Sequence, residues 1–215
     1  MIRAHLKHYA KRVLGRPTVA PPVKGVADAH WYDANYRVSE NYAAPYWASE
    51  YLFLWSVLAD RIRSAKAGRV LDIGCGSGQF ASCLFALTPI EAYTGLDFSA
   101  QAVAMAQRAC PQGRFVVGDA TKTTIYDDTP HDILTCTEML EHVPADHDVV
   151  ARFKTGMRCI CTVPNFPDPT HVRYFTSADE VADRYRAFFD RMDVWALRRS
   201  PSQVFFVLDG VRNSR

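Results

Sequence analysis

The sequence contains no run of about 18 consecutive apolar residues, the length that a membrane-spanning helix needs. Its first 20 residues also lack the apolar core of a signal peptide. We therefore expect neither a membrane span nor secretion, and we predict a cytoplasmic protein.

Paired cysteines are missing as well. The six cysteines lack the C-x-x-C spacing of zinc sites and lie mostly within apolar stretches, at positions 75, 83, 110, 136, 159 and 161. We predict buried free thiols, which suit a reducing compartment.

The chain has no large excess of charge. Lys and Arg total 25 against 23 acidic residues, and a net charge of +2 gives no overall reason to expect a nucleic-acid binder. The amino-terminal end differs, because residues 1–27 contain no acidic residue but six basic ones: Arg3, Lys7, Lys11, Arg12, Arg16 and Lys24. This basic arm fits either a solvated tail or an amphipathic helix in weak contact with an anionic membrane surface, with Ile2, Leu6, Tyr9 and Val13 on its apolar face.

Proline and glycine between residues 15 and 25 mark a linker, which divides the chain into three parts. We expect a basic arm and linker over residues 1–29, a helical cap over 30–68 and the main domain over 69–215. Helical spacing of apolar residues predicts a helix over residues 45–62, with one apolar face formed by Trp47, Tyr51, Leu54, Leu58 and Ile62.

From residue 69 onward, short apolar segments alternate with helix-length segments, the pattern of a parallel sheet covered on both faces. The predicted strands are 69–73, 92–96, 114–117, 133–137 and 159–163, and the predicted helices are 78–87, 99–110, 146–153 and 177–188. Two late strands, 192–197 and 203–208, are too close for a parallel crossover and are expected to pair as an antiparallel hairpin.

A glycine-rich turn follows the first predicted strand. Gly74, Gly76 and Gly78 permit a tight turn and a close approach of a ligand to the backbone amides. The NAD fingerprint would place its third glycine at position 79, which is Gln79. Asp72 would repel a pyrophosphate, but it suits a ligand that carries an ammonium and a sulfonium group.

Two more carboxylates follow the next two strands. Asp97 lies 19 residues after Gly78, close to the spacing of about 20 expected for a ribose-binding carboxylate. Asp119 lies after the third strand, where an adenine amino group is expected, and Phe98 is placed to pack on the adenine face.

The D-x-G-x-G-x-G loop, Asp97 and the Gly118-Asp119-Ala120 sequence together resemble class I S-adenosylmethionine-dependent methyltransferases, over about residues 69–209. The resemblance implies a Rossmann-like, doubly wound sheet of seven mostly parallel strands with a C-terminal antiparallel hairpin, in addition to the N-terminal helical cap. It also implies that S-adenosylmethionine binds at Asp72, Gly74, Cys75, Gly76, Gly78, Asp97, Phe98, Asp119 and Ala120.

The loops after the fourth and fifth strands carry the candidates for catalysis. A hydroxyl acceptor must lose a proton, so a base or a metal near the sulfonium would help, and His142 and His171 are the candidate bases with Glu141 beside them. The sequence Glu138-x-x-Glu141-His142 with the later His171 also resembles ubiquinone-pathway O-methyltransferases and small-RNA 3′-end 2′-O-methyltransferases. That resemblance implies a Mg²⁺-type ion on Glu138, Glu141, His142 and His171. The same loop is widespread in metal-independent methyltransferases, where it caps a helix and shapes the cleft, so both interpretations stay open.

Two further groups of residues allow alternatives. Aromatic residues in the cap are expected to form a lid over the cavity, although about half of them would serve only to pack the cap: Trp31, Tyr32, Tyr36, Tyr42, Tyr46 and Trp47. Arg173 is expected either to pair with an acidic substrate group or to form a surface salt bridge.

The resulting hypothesis is a methyltransferase that acts on a hydroxyl of a small-molecule or glycan-type acceptor. The alternatives are a metal-dependent RNA 3′-end 2′-O-methyltransferase, an N-methyltransferase on a small molecule, and a non-catalytic binding scaffold. The near-neutral charge argues against RNA. The intact acceptor side argues against the scaffold. The sequence specifies neither the acceptor nor the oligomeric state.

Overall fold

A computed structural model describes residues 19–20 and 26–214, so the predicted basic arm and most of the linker lie outside the described residues. The described chain forms a seven-stranded sheet in the order β3-β2-β1-β4-β5-β7-β6. Its strands are β1 (Arg69–Ile73), β2 (Ala92–Asp97), β3 (Arg114–Val117), β4 (Ile133–Thr137), β5 (Arg158–Pro164), β6 (Phe189–Arg198) and β7 (Val204–Arg212). β1 to β5 are parallel, whereas β7 runs antiparallel to both β5 and β6. The predicted fold class, with its C-terminal hairpin, is confirmed.

Helices cover both faces of the sheet. They are α1 (Ala29–Val38), α2 (Glu40–Ala43), α3 (Leu52–Ser64), α4 (Gln79–Leu87), α5 (Ala100–Ala109), α6 (Ile125–Asp128), α7 (Asp146–Ala151) and α8 (Ala178–Tyr185). Successive strand residues point to opposite faces, so Val70 packs in one core with α3, α4 and α5, and Leu71 packs in the other with α6, α7 and α8. The hydroxyls of Ser99 and Ser177 cap α5 and α8 by accepting hydrogen bonds from the amides of Ala102 and Glu180.

The prediction of a continuous helix over residues 45–62 is wrong in its first part. α3 begins only at Leu52, after a 3₁₀ turn over Tyr46–Ala48, and the predicted face residue Trp47 is 66% exposed. The interruption lies at Ser49, which has an extended backbone conformation (φ −73°, ψ 141°) and whose hydroxyl accepts a hydrogen bond from the Tyr51 amide at 3.3 Å. Such a local side-chain acceptor offers the backbone an alternative to the helical hydrogen bonds, whatever the apolar spacing around it.

The six cysteines, all within the described residues, are buried free thiols as predicted. Within residues 19–20 and 26–214, every helix is too short or too polar to cross a membrane.

Gly78 sets how closely α4 approaches α5. Its φ of 79° is left-handed, and a Cβ at this position would lie 2.8 Å from the Cα of Ala106 in α5. We predict that Gly78→Ala lowers the free energy of unfolding by about 3 kcal/mol, through backbone strain and overpacking together.

Gly156→Ala is the matched control, because Gly156 also has a left-handed φ of 75° but no described atom lies within 4 Å of its would-be Cβ. It should cost only the backbone strain, about 1–2 kcal/mol. Urea unfolding of both variants measures the difference. Equal losses would show that the contact with Ala106 has no energetic role.

Candidate active site

A cavity of about 890 Å³ lies at the carboxyl ends of β1 to β5, beneath α1 and α2, which we call the cap. In open α/β sheets this edge is the usual ligand site. The structure brings three groups of predicted residues to the wall: Gly74, Cys75, Gly76, Asp97, Phe98, Asp119 and Ala120 on one side, Glu138, Glu141, His142 and His171 on the other, and Trp31, Tyr32, Tyr36 and Tyr42 from the cap. Asp72, Gly78, Tyr46 and Trp47 do not line it.

The glycine loop, residues 74–78, is tied to β2. The amides of Gly74 and Cys75 both donate to the carbonyl of Leu96, at 2.8 and 3.0 Å. Gly74 has a φ of 82°, and a Cβ there would lie 2.6 Å from Cγ of Met139, so a side chain at this position would collide with the loop after β4. Glycine is therefore required at position 74 for the glycine loop to pack against Met139 at the cavity wall.

Asp97 links the glycine loop to the start of α5. It is 7% exposed, its Oδ2 accepts from the Gly76 amide at 2.9 Å, and its Oδ1 accepts from the Ser99 amide at 2.9 Å. Burial raises the pKa of Asp97 to about 6, against the effect of these two donors. The group is thus a carboxylate at neutral pH, and each oxygen retains acceptor capacity toward a ligand.

The position of Asp72 differs from the expectation that its carboxylate contacts the ligand. Its carboxylate is fully buried and accepts hydrogen bonds from the Tyr93 hydroxyl in β2 and from Thr135 Oγ1 in β4, the latter at 2.7 Å. It braces three adjacent strands beneath the glycine loop. The direct contact that we predicted between this carboxylate and a ligand ammonium group has no support in this geometry.

The adenine-side candidates lie at an open part of the wall. Asp119 Oδ1 accepts from the amide and hydroxyl of Thr121, at 2.8 and 2.6 Å, and Oδ2 lies 2.8 Å from Lys122 Nζ. Lys122 first, and then Thr121, lower the pKa of Asp119 to about 2. Phe98 is 40% exposed, with its ring 5.3 Å from that of Tyr32 in the cap.

Three of the four predicted metal ligands form a cluster on the opposite wall. The ligand atoms of Glu141, His142 and His171 lie within 4.8 Å of one another. His142 Nδ1 donates to the Thr170 carbonyl at 3.1 Å, and His171 Nδ1 donates to the Phe166 carbonyl at 3.0 Å. Because a carbonyl can only accept, each Nδ1 carries the hydrogen and each Nε2 keeps its lone pair.

Glu141 is the least compensated group of this cluster. It is fully buried, and neither carboxylate oxygen has a hydrogen-bond partner among the described residues. His142 Nε2 lies 3.6 Å from Glu141 Oε1. Burial raises the pKa of Glu141 well above its usual range and lowers that of His142 to about 4, so the two do not form a charged pair. A buried carboxyl without partners is unfavourable unless a ligand satisfies it.

Glu138 does not join this cluster, contrary to the predicted set of four ligands. Thr162 Oγ1 in β5 donates to Glu138 Oε1 at 2.8 Å and accepts from the Glu138 amide at 3.0 Å. Glu138 also has a left-handed φ of 51°. This hydrogen-bonded turn holds one side-chain oxygen against β5, while Glu138 still lines the cavity and its charge helps to raise the pKa of Glu141.

Arg173 holds the turn that carries Glu141 and His142. Its guanidinium donates to the carbonyls of Leu140, Val143 and Pro144, at 2.6 Å for Val143 and 3.0 Å for Pro144, and lies 3.3 Å from Asp146 Oδ1. Of the two interpretations of Arg173, the structure favours the salt bridge, but its partner Asp146 is buried and not at the surface. Sequence reasoning missed its role at the turn, because its partners there are backbone carbonyls and leave no signal in side-chain type.

Tyr32 connects the two sides of the cavity from the cap. Its ring stands edge-on to Phe98 on one side and to His142 on the other, at 5.3 and 6.1 Å. Four of the six aromatic residues proposed for a lid are therefore at the cavity, whereas Tyr46 and Trp47 pack against each other outside it.

The profile of a family described as "Methyltransferase domain" matches residues 70–159. This segment contains the glycine loop, Asp97, Asp119 and the Glu138–His142 turn. Residues 70–159 therefore form a methyltransferase domain, and S-adenosylmethionine is the cofactor that such a domain implies.

Two relatives of this methyltransferase domain are named for small-molecule reactions. A ubiquinone biosynthesis O-methyltransferase of Glaesserella parasuis serovar 5 (strain SH0165) is 33% identical over 107 residues, 46% of this chain and 44% of the relative. A trans-aconitate 2-methyltransferase of Klebsiella pneumoniae (strain 342) is 30% identical over 146 residues, 64% of this chain and 56% of the relative. The chain thus spans about half the length of the relatives it matches.

Solved structures share the fold at lower identity. A chain from the complex between the Trm112 methyltransferase activator of Haloferax volcanii and a methyltransferase has a TM-score of 0.62 at 18% identity, covering 85% of this chain and 97% of that one. The [4+2]-cyclase SpnF has a TM-score of 0.59 at 18% identity, covering 74% and 81%. These likenesses concern the fold alone.

Asp72 generates a prediction about pH and stability. Burial raises its pKa from 3.8 to about 6, so the folded state holds an extra proton between those values, and stability falls as the pH rises through that window. Asp72→Asn keeps a hydrogen-bonding group between Tyr93 and Thr135 but removes the charge. Relative to the wild type, we expect the variant to gain up to about 3 kcal/mol at about pH 8 and to differ little at about pH 4.

Urea unfolding at both pH values measures this difference. Asp60→Asn, at an exposed pair with Arg63, is the control and should show little dependence on pH. A variant that loses more stability at about pH 8 than at about pH 4 would contradict the account of Asp72.

Proposed function

We propose that the protein transfers the methyl group of S-adenosylmethionine to a hydroxyl of a small-molecule or glycan-type acceptor. The observation that carries the proposal is the cluster of Glu141, His142 and His171, which shares one cavity with the glycine loop and Asp97. A hydroxyl must lose a proton when it attacks the methyl group, whereas an unprotonated amine attacks through its free lone pair. Proton acceptors on the wall opposite the donor side therefore favour a hydroxyl.

On the donor side, we propose that Asp97 accepts hydrogen bonds from the ribose hydroxyls. Its buried carboxylate retains acceptor capacity and is fixed in place by two backbone amides. Phe98 and Ala120 would contact adenine, and Asp119 would reach its amino group once the exposed pair with Lys122 opens.

On the acceptor side, the chain itself provides two neutral imidazoles. Burial lowers the pKa values of both His142 and His171, and in each ring Nε2 is the nitrogen with the free lone pair. Either Nε2 would take the proton of the acceptor hydroxyl as the new bond to the methyl group forms. Tyr32 and the cap would limit the access of water to this point.

The same cluster fits a divalent cation. Glu141 offers two oxygens that have no hydrogen-bond partner in the part of the chain that the structure describes, and each histidine has its tautomer fixed by a carbonyl, which is the usual arrangement around a metal-bound imidazole. Two imidazoles with one carboxylate are more typical of first-row transition metals than of Mg²⁺. When bound, such a cation would act as a Lewis acid toward the acceptor oxygen.

The relatives support a small acceptor, since one is named for ubiquinone biosynthesis and the other for trans-aconitate. We also propose a cytoplasmic location, supported by the six free thiols. Contact of the basic arm with an anionic membrane surface remains part of this proposal, supported by the composition of residues 1–27.

Labelled S-adenosylmethionine tests the proposed reaction. We expect label to enter pools of phenols, sugars or hydroxy acids but not pools of amines or short RNA. We expect a chelator to reduce the transfer, and Mn²⁺ to restore it better than Mg²⁺. Glu141→Gln should lower the transfer at least tenfold while the donor still binds. Label found only in amines or RNA would contradict the proposal. Transfer at the same rate with and without the chelator would show that no cation is needed, and the histidines would then be the bases.

One binding assay of two carboxylate variants tests the assignment of the donor-side residues. Asp97→Ala should weaken S-adenosylmethionine binding at least tenfold, because it removes a buried charged acceptor. Asp119→Ala should weaken it less, because Asp119 is exposed and already paired with Lys122. Calorimetric titration measures both affinities. If Asp97→Ala binds as well as the wild type, the assignment of the ribose contact is wrong.

A further inference from the structure

Two side chains fasten the cap to the rest of the molecule by hydrogen bonds. Gln79, the first residue of α4, donates from Nε2 to the carbonyls of Asn41 and Ala44, at 2.9 and 2.6 Å. Asp33, in the middle of α1, accepts at Oδ1 from Ser99 Oγ at 2.6 Å and from the Gln101 amide at 3.0 Å. One contact is thus donated to the cap, and the other is accepted by it.

Both contacts attach the cap to the donor side of the cavity, one next to the glycine loop and the other at the segment that follows Asp97. Gln79 directly follows the glycine loop. Ser99 donates its amide to Asp97 and its hydroxyl to Asp33, so one residue joins the donor-side carboxylate to the cap. Tyr36 of α1 adds a third contact point, since its hydroxyl lies 3.1 Å from where a Cβ on Gly76 would be.

Each contact joins two elements of the fold. α1 is already capped at its start by Asp28, which accepts from the Trp31 amide, so Asp33 is not needed to cap its own helix. Ser99 caps α5 at the Ala102 amide, and Asp33 of the cap supplies a second acceptor at the Gln101 amide. Gln79 lies in the first turn of α4, where a solvated side chain would be adequate. What the two side chains share is that they hold the segment that covers the cavity.

We propose that Asp33 and Gln79 are positioning residues that hold the cap over the donor side, so that S-adenosylmethionine and its demethylated product exchange faster when either contact opens. This inference rests on the proposed function, because it concerns the same cavity. The aromatic side chains of the cap line that cavity together with the glycine loop and the acceptor-side cluster. A bound donor would therefore lie behind the segment that these two residues fasten.

Gln79 donates its hydrogen bonds and Asp33 accepts its own, so substitutions of nearly the same shape change each contact in a known direction. Gln79→Glu replaces a donor with an acceptor that faces two carbonyls, and should open the contact. Asp33→Asn keeps an acceptor oxygen for Ser99 and Gln101, and should largely preserve it. Asp33→Ala removes the acceptor.

The measurement is the dissociation rate of S-adenosylhomocysteine, followed by rapid mixing with an excess of competitor and without any methyl acceptor. We expect Gln79→Glu and Asp33→Ala to release the probe about tenfold faster, and Asp33→Asn less than about threefold faster. Because a loosened cap also eases entry, the association rate should not fall, whereas a general loss of structure would lower it. Gln107→Glu and Asp60→Asn, both at exposed positions, are the matched controls and should release the probe at the wild-type rate.

The outcomes separate the inference from the function on which it rests. A wild-type protein that does not bind the probe would contradict the proposed function. Binding with unchanged dissociation in Gln79→Glu and Asp33→Ala would overturn the inference alone, as would equal acceleration by Asp33→Asn and Asp33→Ala. If Gln79→Glu does not fold, Gln79→Met removes the donor without adding charge, and the same tenfold acceleration is expected of it.

Discussion

The carboxylate of Asp97 is the point where the elements around the cavity meet. One oxygen accepts from Gly76 in the glycine loop and the other from Ser99 at the start of α5, and Ser99 in turn donates to Asp33 of the cap. The group stays ionised at neutral pH although burial raises its pKa to about 6. A single buried acceptor thereby fixes the glycine loop, the second strand and the covering helix relative to one another. Ligand binding on this side and closure of the cap are then parts of one hydrogen-bonded arrangement.

The acceptor side differs from the donor side because its central carboxyl group, that of Glu141, lacks hydrogen-bond partners among the described residues. Glu141 is buried without partners among the described residues, while backbone carbonyls hold His142 and His171 with their free nitrogens available. An unsatisfied buried group reduces stability, and a catalytic role or a bound water or ion is among the reasons for which such a group is retained. This cluster matters for function because the fold alone does not decide it: the methyltransferase fold is also that of a protein named a cyclase. The proposed chemistry therefore depends on these three side chains.

The sequence predicted well whatever depends on local pattern, namely the strands β1 to β5, the hairpin, the glycine loop and the positions of Asp97 and Asp119 at strand ends. It failed where a distant side chain decides the outcome. Tyr93 and Thr135 hold the Asp72 carboxylate beneath the glycine loop, and Thr162 holds one Glu138 oxygen against β5. Residue type and spacing do not show which of several hydroxyls or amides a carboxylate will meet. Such partners become visible only once the strands are placed side by side.

The central claim is that one cavity holds the methyl donor against Asp97 and directs its sulfur toward the cluster of Glu141, His142 and His171. A crystal structure of the complex with S-adenosylhomocysteine tests this claim most directly. The account predicts the ribose hydroxyls within hydrogen-bond distance of the Asp97 oxygens, with the sulfur facing the three-residue cluster. A nucleoside bound away from Asp97, or a sulfur directed away from that cluster, would contradict it.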